Sequence, residues 1–468
     1  DTVTNLDDLA GNLVADYSRV LYSLVSVAKD LDVRPADGAG VYLEQSLAGG
    51  GARNVGLSHG DLFNPVEKCG FHLHRRCDSI TTNHNPSNTN TNAQFCGLTG
   101  TFGLCYGGIR FSVLNMKAVV LSAKGELEVE ERPLPEKVGS NSVLVRIVGA
   151  GICGSDLPRA FSGGAYHYPL VLGHELSGIV EDAADSPRFH PGQRVVIFPL
   201  LPDPNDPFVR IGELAVSSGY DYFGSRRDGG FQEYLYVPES NLLSVPDHVD
   251  LLEASMTEPA AVALHGVSKL RIPSAATALV IGGGPIGCMV AQWLRIRGVA
   301  RVLLAEPDEK KRTVVDTLGF ETIDAGSVDT VEAIWGLTGG ADCVVEACGL
   351  PITFRQAFAA AATFGQVVLL GNIHGSLELD ERDVSSILRR ELTLYGTWNS
   401  KITPPGKSEW DEVLLRLGRE LRVKPLISHT PSLEETPQVL RRMHRRELWF
   451  NKVVVDVAGS ADRKGRKR

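Results

Sequence analysis

The chain has 468 residues, 43% hydrophobic and 22% charged, with a formal net charge of −9. That length allows two or three domains, the acidic balance argues against nucleic acid as the main partner, and no run approaches the roughly 18 apolar residues that span a bilayer. No basic stretch followed by an apolar core opens the chain, and eight cysteines in a chain this long are not a disulfide scaffold; a reducing, cytoplasmic setting fits.

Residues 1–115 read as an extension, partly helical and largely disordered. Leu6, Leu9, Leu13, Tyr17, Val20, Leu24 and Leu31 fall on one face of a helix over 5–31, with Asp7 and Asp8 in its first turn. Residues 81–94 are too polar and too simple in composition to bury a core. Cys69, His72, His74 and Cys77, with Cys96 and Cys105 beyond, match no common zinc-finger spacing and lack hairpin signals at their flanks. They are read as incidental. The chain begins at Asp1 rather than Met, so the extension is expected to come from a fragment, a processed product or a partial gene model.

From Met116 the character changes. Strands are predicted at 116–120, 142–148 and 195–199, separated by Gly and Pro turns, in a β-rich segment reaching about residue 250. From Ala276 short apolar strands alternate with helices. Strands are predicted at 278–281, 301–305, 343–346 and 366–370, and helices at 287–297 and 309–318. This alternation means an α/β fold with a doubly wound parallel sheet. A late strand at 452–456 is placed to return to the β-rich segment. The domains are taken as 116–255, completed by 403–456, and 256–402, with a basic disordered tail at 457–468. Cys288, Cys343 and Cys348 lie in apolar runs and read as buried free thiols.

Two constellations carry chemistry. In Gly282-Gly283-Gly284-Pro285-Ile286-Gly287, Gly282 permits a tight turn, Gly284 lets backbone approach a pyrophosphate, and Gly287 lets helix and strand pack closely. Pro285 and Ile286 open the helix whose N-terminus faces the phosphates. Glu306 ends the next strand, where a carboxylate accepts from the ribose hydroxyls of NAD and repels a 2′-phosphate. Lys310, Lys311 and Arg312 keep NADP open. Upstream, Cys153 in Gly-Ile-Cys-Gly-Ser-Asp and His174 with Glu175 in Gly-His-Glu supply a thiolate, an imidazole and a carboxylate suited to zinc. Glu258 is a second carboxylate; either glutamate can ligate directly while the other acts through water. Ser155 is placed to pass a hydroxyl proton toward solvent, and Asp156 to orient a ligand. Zinc ahead of a dinucleotide fold points to hydride transfer from an alcohol.

These residues together resemble the zinc-containing medium-chain dehydrogenases over about 116–456. The resemblance is carried by 153–159, 168–175, 224–231, 390–393 and 396–398, and within the family it runs to polyol dehydrogenases of the sorbitol and galactitol-1-phosphate type. It implies a GroES-like catalytic domain and a Rossmann domain with the active site between them. It also implies one catalytic zinc at Cys153, His174 and Glu258, with Glu175 as alternate ligand, and NAD. The substrate would be a small alcohol, a polyol or a polyol phosphate. It implies a homo-oligomer, dimer or tetramer, built in part by joining nucleotide-domain sheets, and Trp398 and Asn399 near the substrate mouth. Alternatives are a threonine- or butanediol-type dehydrogenase of the same family and a non-enzymatic NAD(H)-binding protein. One departure stands out. Family members often hold a structural zinc on four cysteines in a lobe matching 202–222. The corresponding positions here are Asp203, Asp206, Val209 and Ser217, so no structural zinc is expected. Arg159, Arg226 and Arg227 are candidate phosphate partners if they face the cleft.

Overall fold

The computed structural model describes residues 109–135, 137, 141–183 and 186–459, and before them the strands Leu31–Pro35, Val41–Leu47, Gly50–Gly56, Phe71–His72, Gln94–Leu98 and Thr101–Tyr106. The chain divides into two units, Asp1–Asn115 and Met116–Arg468. In the first unit every described element is a strand. The helix expected over 5–31 lies outside the described residues except at Leu31, which opens a strand instead. The segment 81–94 lies outside them except at Gln94, and the tail except at 457–459. Of the cysteine and histidine set, Cys69, His74 and Cys77 lie outside. Cys96 and Cys105 sit in two antiparallel strands with Gln94 opposite Cys105 and Cys96 opposite Gly103. That antiparallel pairing was not anticipated.

In the second unit one strand organises the β-rich part. Ser142–Ile152 is an almost unbroken apolar run and is buried along nearly its whole length, as a strand covered on both faces must be. On one side it pairs antiparallel with Glu175–Asp182. On the other it pairs with Tyr234–Pro238 and with the late strand Lys452–Asp456, Val453 lying opposite Ile152. The chain therefore does return to its first sheet, closing a seven-stranded sheet over a core that includes Leu121, Ile147, Leu172, Phe223, Phe231 and Val455.

Six parallel strands form the second sheet, in the spatial order Glu321–Ile323, Arg301–Ala305, Thr277–Ile281, Ala341–Glu346, Ala361–Leu369 and Thr393–Gly396. This is the doubly wound order whose direction reverses beside the first strand, which opens a crevice at the strands' carboxyl ends. Helix Pro285–Ile296 follows the glycine turn, two residues earlier than predicted, because Pro285 suits the first helical position. It packs on helix Thr257–Val267, and Trp293 Nε1 donates to Ala260 O at 3.0 Å. The outer strand Thr393–Gly396 and helix Glu381–Arg389 leave Leu394, Val384 and Leu388 exposed.

One carboxylate ties the two ends of the cysteine-free lobe together, while Lys401 and Thr403 hold its middle at Glu213 and Gly212. Asp206 caps helix Pro207–Arg210, its Oδ1 accepting from Phe208 N at 2.9 Å. Its Oδ2 accepts from Ser218 N at 3.0 Å and Ser218 Oγ at 3.2 Å, pinning the far end of the loop. Asp203 accepts from Asn205 N, Ser217 from its hydroxyl donates to Leu214 O, and Val209 offers no donor atom. The lobe delivers the short strand Asp221–Tyr222, paired with Leu200–Leu201. Asp206→Ala should loosen this loop, raising proteolytic cleavage within 203–219 about tenfold by local opening while the main unfolding transition moves little. Unchanged cleavage would show that packing, not Asp206, holds the lobe.

Candidate active site

Cys153 ends the central strand's run into helix Asp156–Phe161, and Asp156, fully buried, fixes it by accepting from Cys153 N at 2.9 Å through Oδ2. The other carboxylate oxygen of Asp156 lies 3.6 Å from His174 Nδ1, so one acid orients both neighbours, as an outer carboxylate does around a metal histidine. Burial pushes against charge on Asp156 and on His174 alike. Their mutual attraction prevails, holding Asp156 below the usual carboxylate range and His174 well above the usual imidazole one. Cys153 Sγ, a ring nitrogen of His174 and a carboxylate oxygen of Glu175 all lie within 4.8 Å of one another. A thiolate, an imidazole and a carboxylate so grouped, in a buried cleft, are a fitting donor set for zinc.

Glu175 is held by a residue that sequence reasoning missed. Lys452 opens the returning strand, is buried, and donates through Nζ to Glu175 Oε1 at 2.6 Å and to Ile152 O at 2.9 Å. Its ammonium also lies against Glu175 Oε2. Burial pulls the Lys452 pKa down, but Glu175 and Cys153 more than offset this and the amine is held above its ordinary value. Glycine at 151 makes room for the pair: a Cβ there would stand 2.0 Å from Glu175 Oε2. The signal for Lys452 was a lysine opening an otherwise apolar strand predicted to return.

Glu258, in the first turn of helix Thr257–Val267, stands outside the 4.8 Å group. Resemblance puts Glu258 among the direct ligands with Glu175 as alternate; here Glu175 stands with Cys153 and His174, its carboxylate engaged by Lys452, while Glu258 faces Tyr222. Glu258 is turned to Tyr222, whose hydroxyl donates to its Oε1 at 3.2 Å. Burial raises the Glu258 pKa, His174 opposes and Glu175 adds to it, leaving it at about 7. Burial and Glu258 hold the Tyr222 phenol well above its ordinary value, so it remains a donor. Asn399 stands near the phenol and acts against that rise. Asn399 has φ +57°, a left-handed conformation that Asn tolerates better than most residues, and its Oδ1 accepts from Ser400 N at 2.8 Å.

Ser155 lies beside Cys153, and its Oγ accepts from Arg159 Nη1 at 2.9 Å. Arginine only donates, so Arg159 is no onward proton carrier and a path from Ser155 must run to solvent directly. Arg227 pairs with Asp221 at 2.8 Å. At the nucleotide turn, Gly282 has φ +112°, a Cβ at Gly287 would stand 1.8 Å from Gly282 O, and one at Gly284 would meet nothing within 4 Å. The first two are packing requirements; the third leaves open space before the helix. Glu306 accepts from Gly283 N at 2.7 Å and Asp308 N at 3.0 Å. Arg312 is engaged by Glu306 O, Pro307 O and Asp324, and Lys310 lies over the Trp449 ring. Cys288 and Cys343 are buried and Cys348 half-buried, and burial pushes each thiol up to about 12.

Lys452→Ala leaves a buried carboxylate beside a thiol and a second acid. It should destabilise the metal-free protein by ~3–5 kcal/mol and the zinc-loaded protein by clearly less, since a cation then compensates Glu175. Equal losses in denaturant titrations with and without zinc would refute that account.

Comparison with known proteins identifies the family. Residues 139–247 match the alcohol dehydrogenase GroES-like domain, and residues 285–419 match the zinc-binding dehydrogenase family. Galactitol 1-phosphate 5-dehydrogenase of Escherichia coli K12 is 32% identical over 338 residues, 71% of this chain and 98% of that protein. The crystal structure of galactitol-1-phosphate dehydrogenase from Escherichia coli superposes with a TM-score of 0.68 over 73% of this chain and all of that one. L-galactonate-5-dehydrogenase of Escherichia coli K12 is 30% identical over 61% of this chain and 84% of that protein. A zinc-binding dehydrogenase from Sinorhizobium meliloti 1021 bound to NADP is 30% identical, with a TM-score of 0.66 over 73% of this chain and 99% of that one. The chain belongs to the zinc-containing medium-chain alcohol and polyol dehydrogenases, a GroES-like domain joined to a Rossmann-type parallel sheet.

Proposed function

We propose that this chain oxidises a secondary hydroxyl of a polyol or polyol phosphate, with one catalytic zinc per chain and NAD as hydride acceptor, in the cytoplasm. The observation that carries the reading is the convergence of Cys153, His174 and Glu175 within 4.8 Å. Galactitol 1-phosphate and L-galactonate are named for two relatives, and both are polyhydroxylated chains. The domains are read as 116–255 with 403–456, and 256–402. Cys153 and His174 hold the metal, and Glu175 and Glu258 are the carboxylates that complete its set. When bound, zinc supplies Lewis acidity at the alcohol oxygen and the nicotinamide takes the hydride. Asp156 keeps His174 in a ligating orientation. Tyr222 fixes the Glu258 carboxylate, and Ser155 accepts the departing hydroxyl proton and hands it to water. Glu306, held by two backbone amides, presents an acceptor to a ribose diol, and Arg312 is tied up by Asp324 and two carbonyls; both support NAD. The lobe's reliance on Asp206 supports a single zinc.

The test is reduction of NAD or NADP by the full chain with sorbitol, xylitol, galactitol and their phosphates, with metal measured on the same sample. About one zinc per chain and faster turnover with NAD are expected. Cys153→Ser should lose the zinc and more than about 100-fold in kcat/KM, some 2.7 kcal/mol of transition-state stabilisation. Zinc-free active protein would sink the metal assignment, and faster turnover with NADP the cofactor one.

We also propose a homo-oligomer joined through the outer strand Thr393–Gly396. It ends the parallel sheet, and Leu388, Val384 and Leu394 form an exposed apolar strip beside it, the kind of edge that invites pairing. Light scattering should give a dimer or tetramer for the native chain and a shift toward monomer for Leu388→Glu. A monomeric native chain at micromolar concentration would overturn this.

A further inference from the structure

Of the arginines at the rim of the site, three are committed to carboxylates or to the catalytic loop. Arg227 pairs with Asp221, and Arg132 lies 3.5 Å from Asp228. Arg159 holds Ser155 Oγ, with Asp156 at 3.5 Å. Arg226 differs. Its guanidinium carbon lies 4.3 Å from the centre of the Tyr220 ring and 5.1 Å from that of Tyr166. One edge N–H donates to Tyr220 O. Among the described residues no carboxylate pairs with it.

The position is built. Arg226 N donates to Tyr222 O at 3.0 Å, so the turn carrying it hangs from the residue whose hydroxyl reaches Glu258. Its own carbonyl faces His167 Nε2 at 3.0 Å, and His167 Nδ1 faces Pro169 O at 3.1 Å, which ties the Tyr166 loop to the same turn. Tyr220 meets Tyr222 edge-on, centroids 6.2 Å apart, and Tyr222 meets the His174 ring at 5.8 Å. A ladder of two tyrosines thus separates a half-buried, carboxylate-free cation from the metal-binding histidine.

Resting on the polyol reading above, we infer that Arg226 reads an anionic end group, phosphate or carboxylate, on a polyhydroxylated substrate whose reacting carbinol lies several carbons from that end. Two rings lie against the guanidinium and one N–H serves Tyr220 O; the remaining edge N–H groups are where a planar cation meets an oxyanion. Stacking restrains the side chain before a ligand arrives, so little conformational freedom is lost on binding. A neutral polyol would leave that edge to water.

The experiment compares the zinc-loaded full chain with Arg226→Gln and Arg226→Lys. Hexitol, hexitol phosphate and hexonate are titrated calorimetrically and assayed for turnover. In the native chain at least one anionic ligand should bind at least tenfold more tightly than the hexitol. Arg226→Gln should cut that ratio about tenfold, and Arg226→Lys should retain part of it, because an ammonium keeps the charge but not the fork. Whichever of phosphate or carboxylate gains more identifies the end group. A native chain that oxidises polyols without preferring charge overturns the inference and leaves the polyol reading intact, as does an undiminished ratio in a folded Arg226→Gln. Charge-selective binding through Arg226 without turnover of any polyol would instead sink the polyol reading and support the anion site.

Discussion

The pairing of Lys452 with Glu175 is the contact on which the site's arrangement depends. An ammonium and a carboxylate buried together are a poor source of stability but a strict constraint, because neither tolerates loss of the other. The constraint joins three strands. Glu175 begins one, Ile152 ends the central one and lends its carbonyl, and Lys452 begins the last. Glycine at 151 follows, since any side chain there would occupy the carboxylate's place. So does the chain's return after the nucleotide-binding half. Cys153 and His174 stand immediately beyond Ile152 and before Glu175, so fixing the pair also fixes the spacing between thiol and imidazole.

The cysteine-free lobe is cross-linked by hydrogen bonds. Four thiolates on one ion cross-link a loop at a point; Asp206 does so with two oxygens, one on the helix start and one on Ser218. Such a node is weaker than a metal cluster but sufficient for a loop anchored at its base by Leu200–Leu201 against Asp221–Tyr222. What the lobe delivers is Tyr222. Its phenol donates to Glu258 at the start of helix Thr257–Val267, so a structural segment reaches the site through a single hydroxyl.

Legibility in the sequence followed the range of the interaction. Cys153, His174, Glu175 and the glycine turn were readable because each sits in a short local pattern whose chemistry needs those residues at that spacing. The alternation of strands and helices after Ala276 was equally local. Lys452 and Tyr222 were not readable as site residues, because their partners lie 277 and 36 positions away and nothing near them marks a buried role. The partners of Glu175 and Glu258 were hidden for the same reason: Lys452 engages the first and Tyr222 the second, and neither contact is local. Arg159, Arg226 and Arg227 looked alike in sequence; only their partners separate them.

The same returning segment also reaches the nucleotide crevice. Trp449 Nε1 donates to the Asp308 carboxylate at 3.2 Å, and Lys310 lies over its ring. Asp308 caps helix Glu309–Thr317, and its backbone amide donates to Glu306, the acid placed for the ribose. Three residues after Trp449 comes Lys452, locked to Glu175. A short length of extended chain is therefore pinned at one end to the helix cap beside Glu306 and at the other to Glu175. The glycine-turn half and the Cys153–His174–Glu175 cluster are thus linked by the covalent chain from Trp449 to Lys452, each end fixed by a directional hydrogen bond.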